Sequence, residues 1–374
     1  MSIFNFISKI EDPRSDINKK HELMDVIFLA FSAVLCGASG WKSIQEFGEL
    51  QSEWLKQYTH FTHGIPRRHC IANIIKMIEQ DALVEAFYAW INQRRVRAGK
   101  SLIAIDGKTL RGTCKGTLFE ALHGVSAYDV ESGVALYHQA AESKGQEGPV
   151  ARQLIELLAL DGAIVTMDAL HCQKETLALI TQRGGDFIVG LKGNQKTLYE
   201  WVKSYFASHY ESDELVEFTQ KNSGHGRTEF RHVMQIRAVL PEVLQRQWPS
   251  IQSVIEVVSE RSVKGQPPHR DSRWYVSSLP LEAEIVAKAI RRHWSVENEL
   301  HWVLDVTFRE DAISLKDPDG AAQMALFNRI ALNVIKTVRR LNVEEPFGQG
   351  NSVVNLSLIK LNTKWNPALH FIPT

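Results

Sequence analysis

The sequence predicts an α/β chain in which a mixed sheet is covered by helices, preceded by a small helical domain and interrupted late by a β-rich insertion. Three observations predict it. Apolar residues recur at helical spacing from His21 to Ala98. Short apolar runs take over at Leu102, first three joined by short links, then in the order helix, strand, helix, strand. An irregular polar stretch from about Gln195 to Trp274 carries further strand candidates before helical spacing resumes at Glu282.

Taken in order, helices are expected from about Glu22 to Cys36, Ser43 to Tyr58, Ile71 to Glu79 and Ala82 to Val96, with Gly37 and Gly64-Ile65-Pro66 as breaks. Strands follow at Leu102 to Ile105, Gly124 to Tyr128 and Val134 to His138. A helix from Pro149 to Leu160 precedes a strand from Ala163 to Met167, and a helix from Cys172 to Gln182 precedes one from Phe187 to Leu191. The first and later strands are apolar enough to be covered on both faces. The insertion offers strands at Glu229 to Val239, Val254 to Ser259 and Arg273 to Ser277, and long helices follow from Glu282 to about Asp305 and from Ala321 to Leu341. The expected units are thus 1–98, 99–194, 195–278, 279–341 and a tail, 342–374.

A chain of 374 residues with 44% hydrophobic and 23% charged residues has the material for two or three packed units. Lys plus Arg and Asp plus Glu both number 43, so the total charge advertises neither a nucleic acid nor a membrane surface. The longest uncharged stretch, beginning at Val26, is broken by Ser32, Gly37 and Gly40, and no membrane span is expected. The N-terminal residues lack an export layout. Cys36, Cys70, Cys114 and Cys172 are far apart, which suits reduced, buried thiols of a cytoplasmic protein.

Asp106 and Asp168 each follow an apolar strand, Leu102 to Ile105 and Ala163 to Met167, so two strands deliver a carboxylate to the sheet edge. Asp106-Gly107 also reads as a hairpin turn, and Asp168 as a helix or turn cap. Two neighbouring carboxylates repel unless positive charge lies between them, and a divalent cation is the usual answer. In the segment 290–302, His293, Glu297 and His301 are spaced i, i+4, i+8 and line one helix face. Glu297 is the candidate third ligand. A solvated, ion-paired face and a zinc site on the two histidines are the other readings of that spacing.

These segments resemble those of the H-repeat-associated, or ISAs-type, branch of the DDE insertion-sequence transposases. The matching residues are Ile105-Asp106-Gly107-Lys108-Thr109-Leu110-Arg111, Asp168-Ala169 with Cys172-Gln173-Lys174, Leu191-Lys192-Gly193-Asn194-Gln195, and His293-Trp294-Ser295-Val296-Glu297-Asn298 with Leu300 to Val306. Gly37 to Trp41 and Gly64-Ile65-Pro66 resemble the family's N-terminal associated domain. The resemblance implies an RNase H-like catalytic core in which Asp106, Asp168 and Glu297 hold two Mg²⁺ ions, for which Mn²⁺ could substitute. It implies metal-dependent cleavage and transfer of DNA strands at the terminal inverted repeats of an insertion sequence. A homodimer in the synaptic complex is expected, in a bacterial cytoplasm and on the nucleoid when bound to DNA.

Despite the neutral total, residues 61–120 hold ten Lys and Arg against five acids. Lys108, Arg111, Lys192, Lys196, Arg291, Arg292 and His293 are the expected DNA contacts, whereas Trp294 and Trp302 are expected in the core. Wider relatives carry Tyr, Arg and Lys around the catalytic Glu; here His293 stands four before Glu297 and Leu304 seven after. Arg67-Arg68-His69-Cys70 replaces a common capping sequence, and the tail after Arg340 lacks the family's basic helix. A remnant that binds DNA without cutting, and a nuclease that cuts without joining, are the alternatives.

Overall fold

The computed structural model describes residues 4–17, 19–92, 101–110, 122–141, 146–224, 227–263, 267–312, 315 and 317–344. The tail expected to be atypical falls almost wholly outside these residues, as do Arg111, Cys114 and most of the basic run between 94 and 115.

Six helices open the chain: α1 (Phe4–Ile7), α2 (Leu23–Leu35), α3 (Trp41–Leu50), α4 (Ser52–Leu55), α5 (Arg68–Met77) and α6 (Gln80–Asn92). The helix expected over Ser43 to Tyr58 is two, α3 and α4, which meet at Gln51. α2 is apolar on nearly every side because it is surrounded, by α3, α5 and, from the far end of the chain, α13 (Pro318–Glu344). A helix hydrophobic all round is one that packs all round. The helical segment therefore shares its core with the rest of the molecule.

The remaining elements are β1 (Leu102–Leu110), β2 (Leu122–Asp129), β3 (Val134–Ala141), α7 (Glu147–Leu157), β4 (Ile164–Met167), α8 (Lys174–Gln182), β5 (Asp186–Leu191), α9 (Lys196–His209), β6 (Val216–Gly224), β7 (Arg227–Arg237), α10 (Glu242–Gln247), β8 (Ser253–Val263), β9 (His269–Ser277), α11 (Ala283–His293) and α12 (Trp302–Val306), ahead of α13. All nine strands form one sheet in the order β3-β2-β1-β4-β5-β9-β8-β7-β6. β1 runs antiparallel to β2 and parallel to β4, and β4 parallel to β5, which is the arrangement expected of an RNase H-like core. The β-rich insertion does not stand apart. Its last strand, β9, pairs antiparallel with β5 and extends the same sheet. β6 is not among the expected strands, being too polar and too exposed to announce itself as one.

Along β1, alternation sends Asp106 and Lys108 to one face of the sheet and Gly107 to the other, where a Cβ would meet the Glu147 carboxyl of α7 at 3.1 Å. β1 and β4 lie at the centre, with Ile103, Ala104, Ile105 and Val165 wholly buried. At the opposite edge of the core, α13 takes the place of a missing strand. Asn333, fully buried, accepts from Ala135 N at 2.8 Å and donates to Ala135 O at 2.7 Å, so one side chain satisfies both backbone groups of Ala135 on edge strand β3. Asn333→Leu strands both groups away from water and is expected to lower stability by about 2–3 kcal/mol, measured by urea unfolding.

Candidate active site

The parallel pairing of β1 with β4 ends at Ile105 opposite Met167, which makes Asp106 and Asp168 the next residues on their two strands. β4 stops there. β1 does not leave the core at Asp106, as expected from the sequence, but runs on to Leu110 paired with β2 alone. Asp106-Gly107 is therefore mid-strand and not a hairpin turn. The site lies outside the carboxyl ends of parallel strands, where open α/β sheets leave a crevice. Asp168 is exposed and does serve as a cap, its Oδ1 accepting from Leu170 N at 2.9 Å at the start of a single 3₁₀ turn, Ala169–His171.

The third strand of this edge, β5, fixes that turn from the side. Gly190 lies so close that a Cβ would approach Ala169 N to 3.1 Å. Beyond β5, Asn194 Nδ2 donates to Ala169 O at 2.8 Å and Gln195 Nε2 to Cys172 O at 2.9 Å. The Lys192-Gly193-Asn194-Gln195 segment thus latches the backbone that carries Asp168.

Glu297 comes from the helical stretch across the same face. The continuous helix expected from Glu282 to Asp305 is interrupted: α11 ends at His293, a π-helical turn spans Val296–His301, and α12 follows. Such turns insert one residue into a helix and are common at functional sites. Of the residues four apart from His293 to Asp305, three meet a strand. His293 Nδ1 lies 2.9 Å from Thr166 Oγ1 on β4, His301 Nδ1 lies 3.6 Å from Asp106 Oδ2 on β1, and Asp305 pairs with Lys108, also on β1. Glu297, between them, is exposed and lines with Asp106 and Asp168 a cavity of about 580 Å³. Lys192, Arg273, His293 and Trp294 complete much of its wall.

Burial, and then the charges of Asp168, Glu297 and Glu147, push the Asp106 carboxyl up to about 7, against a partial offset from the Gly107 N–H. The nearby imidazoles move the other way. Burial lowers His293 to about 4 and His301 to about 3, and lowers His171 as well, so none supplies positive charge at neutral pH. A carboxyl whose proton affinity is raised by burial and by neighbouring carboxylates is chemically suited to a divalent cation, whose charge removes the repulsion. Among the described residues, no group of three or more carboxylate, imidazole or thiol side chains is placed so as to hold a metal ion, so Asp106, Asp168 and Glu297 share a cavity without forming a ligand set.

The expected DNA contacts divide. Lys192 and Lys196 are exposed at the carboxyl end of β5, and Arg291 is exposed on α11 beside a second cavity of about 250 Å³. Lys108 is instead buried and ion-paired with Asp305, so its ammonium is not presented to a phosphate. Arg292 is held by the Glu131 carboxylate and donates to Val130 O at 3.1 Å, and His293 turns inward to Thr166. Trp294 and Trp302, expected in the core, are 43% and 59% exposed. Trp294 stacks under the Arg273 guanidinium at 5.8 Å. Sequence reading does not single out Thr166, and it includes Asn194 and Asp305 in matching segments without giving either a role; the four-residue spacing from His293 reaches Asp305 only when extended by one more step.

Comparison with known proteins accords with this architecture. The transposase DDE domain family matches residues 97–334, and the DDE_Tnp_1-associated family matches residues 4–91. "Putative transposase YncI" of Escherichia coli O157:H7 is 34% identical over 90% of this chain and 87% of its own length. "H repeat-associated putative transposase YhhI" of Escherichia coli K12 is 33% identical over 89% of this chain and 90% of its own. Among solved structures, the piggyBac transposase synaptic complex with hairpin DNA aligns with 98% of this chain and 83% of that one at TM-score 0.39 and 11% identity, a likeness too loose to carry an argument. With both family matches in sequence order, and relatives a third identical along nine-tenths of its length, the chain belongs to the DDE-domain transposases, in their H repeat-associated branch.

Proposed function

We propose that this transposase binds the terminal inverted repeats of its insertion sequence and cuts and transfers DNA strands, with Asp106, Asp168 and Glu297 holding two Mg²⁺ ions. The observation that carries the reading is that these three carboxylates, from the middle of β1, the end of β4 and a helical segment 129 residues further on, line one cavity. Asp106, Asp168 and Glu297 would hold the ions, whose charge would activate the attacking oxygen and stabilise the leaving one in an in-line displacement. Mn²⁺, with the same preference for oxygen ligands, would substitute.

The chain's own residues supply the rest. β1 and β4 hold Asp106 and Asp168 in adjacent register positions, and the Asn194 latch keeps the Asp168 turn in place. Lys192 and Arg273 on the cavity wall meet the phosphate backbone as salt-sensitive contacts that do not read sequence. Two element ends must be held together for transfer, which calls for a homodimer in the synaptic complex. Among the described residues, no helix is long and apolar enough to cross a membrane.

The test uses labelled terminal-repeat DNA with Mg²⁺. Wild type is expected to cut it and to join pre-cut ends, and Asp106→Ala, Asp168→Ala and Glu297→Gln each to lose roughly a thousandfold or more in rate while still binding DNA. Cleavage surviving in all three variants would overturn the ligand assignment. Cutting without joining would identify a nuclease, and binding without cutting by wild type a remnant.

A further inference from the structure

We propose that Lys108 is a positioning residue: it ties the Glu297 segment to β1 and so sets the gap between Asp106 and Glu297, and it does not contact DNA. The proposal rests on the reading of Asp106, Asp168 and Glu297 as the divalent-cation site.

Lys108 follows Asp106 by two residues and therefore shares its face of β1. Its side chain is 7% exposed. The ammonium is paired with Asp305 and lies 3.9 Å from both Glu310 Oε2 and Asp311 Oδ1, and all three acids belong to the stretch that follows Glu297. On the far side of Glu310, the wholly buried Arg329 of α13 donates to Glu310 Oε1 at 2.6 Å and to Ala325 O at 2.9 Å. Charge thus alternates from β1 through α12 and the turn at Glu310–Ala312 to α13.

A buried lysine is poorly placed to meet a phosphate, and three acids against two cations make this cluster repel one. What the cluster can do is fix distance. β1 is the middle strand of the five, β3-β2-β1-β4-β5, that precede the insertion, and Asp305 stands eight residues beyond Glu297, with His301 against Asp106 midway between them. Pinning Asp305 to Lys108 therefore anchors one end of the π-helical turn whose other end presents Glu297. Groups that orient metal ligands from behind typically change affinity by about 10–100-fold when removed.

The test reads cation binding directly, by electron paramagnetic resonance titration of Mn²⁺ into the full-length protein. Lys108→Met and Asp305→Asn are each expected to weaken Mn²⁺ binding about tenfold, and the double variant by no more than about tenfold, since the second change removes a tie already cut. DNA affinity and its dependence on salt are expected to stay at wild-type values. Unchanged Mn²⁺ affinity, or losses that multiply in the double variant, would overturn the tie. So would weaker DNA binding with the salt slope reduced by about one, which is the mark of a lost phosphate contact. A merely stabilising pair would lower the melting temperature and leave the folded protein's Mn²⁺ affinity intact, which also counts against the proposal. Asp305→Asn keeps the volume and removes only the charge that holds the ammonium, so it carries the test if Lys108→Met fails to fold. Asp106→Asn, run in parallel, must lose Mn²⁺ binding; if it does not, the cation-site reading has failed and not the tie.

Discussion

Asp106→Asn is expected to abolish cation-dependent cleavage and, in the same protein stripped of metal, to raise stability at neutral pH. The second half follows from the charge the site confines. An unfolded Asp titrates near its ordinary value of 3.8, whereas burial and the neighbouring Asp168 lift Asp106 to about 7 in the folded chain. Between those values the folded state keeps a proton that the unfolded state releases. Stability from this group is therefore whole below about pH 4 and is lost as pH rises to 7. The gap of about three pH units sets an upper bound of about 4 kcal/mol, and the part-exposed carboxyl places the expectation at about 2–4 kcal/mol.

His293, His301 and His171 act in the opposite sense. Their lowered values exclude protons from the folded state, so their contribution is present above about pH 6.5 and lost on acidification. Wild type alone will show the sum. The difference between wild type and Asp106→Asn isolates the carboxyl: about 1 kcal/mol or less in favour of the variant at pH 4.5, and the full amount of about 2–4 kcal/mol at pH 8, by urea unfolding in the presence of a chelator. Equal stabilities at both pH values would mean that the carboxyl is not under strain.

Arg329→Met is expected to cost about 3–5 kcal/mol, a larger loss than that of Asn333→Leu because a charge and not a neutral amide is stranded. Arg329 has no solvent exposure and Glu310 almost none, so removing the guanidinium leaves a buried carboxylate whose remaining cation among the described residues is the more distant Lys108. Pairing the change with Glu310→Gln removes the stranded charge, and most of the loss is expected to return. Urea unfolding of the two single variants and the double variant measures both quantities. Independent, additive losses would show that the two side chains are not the unit described.

Much of this is legible in the sequence because the relevant signals are local. The runs 102–105 and 163–167 announce two buried strands and the carboxylates that follow them, and α13 can be read from its own period. What stays hidden depends on partners far away in the chain. Lys108 reads as a basic residue beside the candidate metal ligand Asp106, and nothing near it shows that Asp305, 197 residues on, neutralises it. Arg292 and His293 are likewise spoken for by Glu131 and Thr166. β6 is silent in the sequence because Val216–Gly224 is held as a strand through pairing with β7 and not through an apolar face. Size alone assigns Trp294 and Trp302 to the core, yet they stand at the cavity rim and on an exposed helix face.

The four-residue rhythm from His293 to Asp305 also depends on a departure from the regular helix. In an α-helix, side chains four apart do not stack straight but advance about 40° around the axis, so three such steps would carry Asp305 about 120° away from the line through His293. The wider π-helical turn at Val296–His301 unwinds most of that rotation, and the row stays facing the sheet, meeting β4 at one end and β1 at the other. One extra residue in the winding, and no change in side-chain chemistry, lets a single helical segment address two parallel strands at once. The distance between the acidic positions counted along the sequence is then a property of how the helix is wound as much as of which residues it carries.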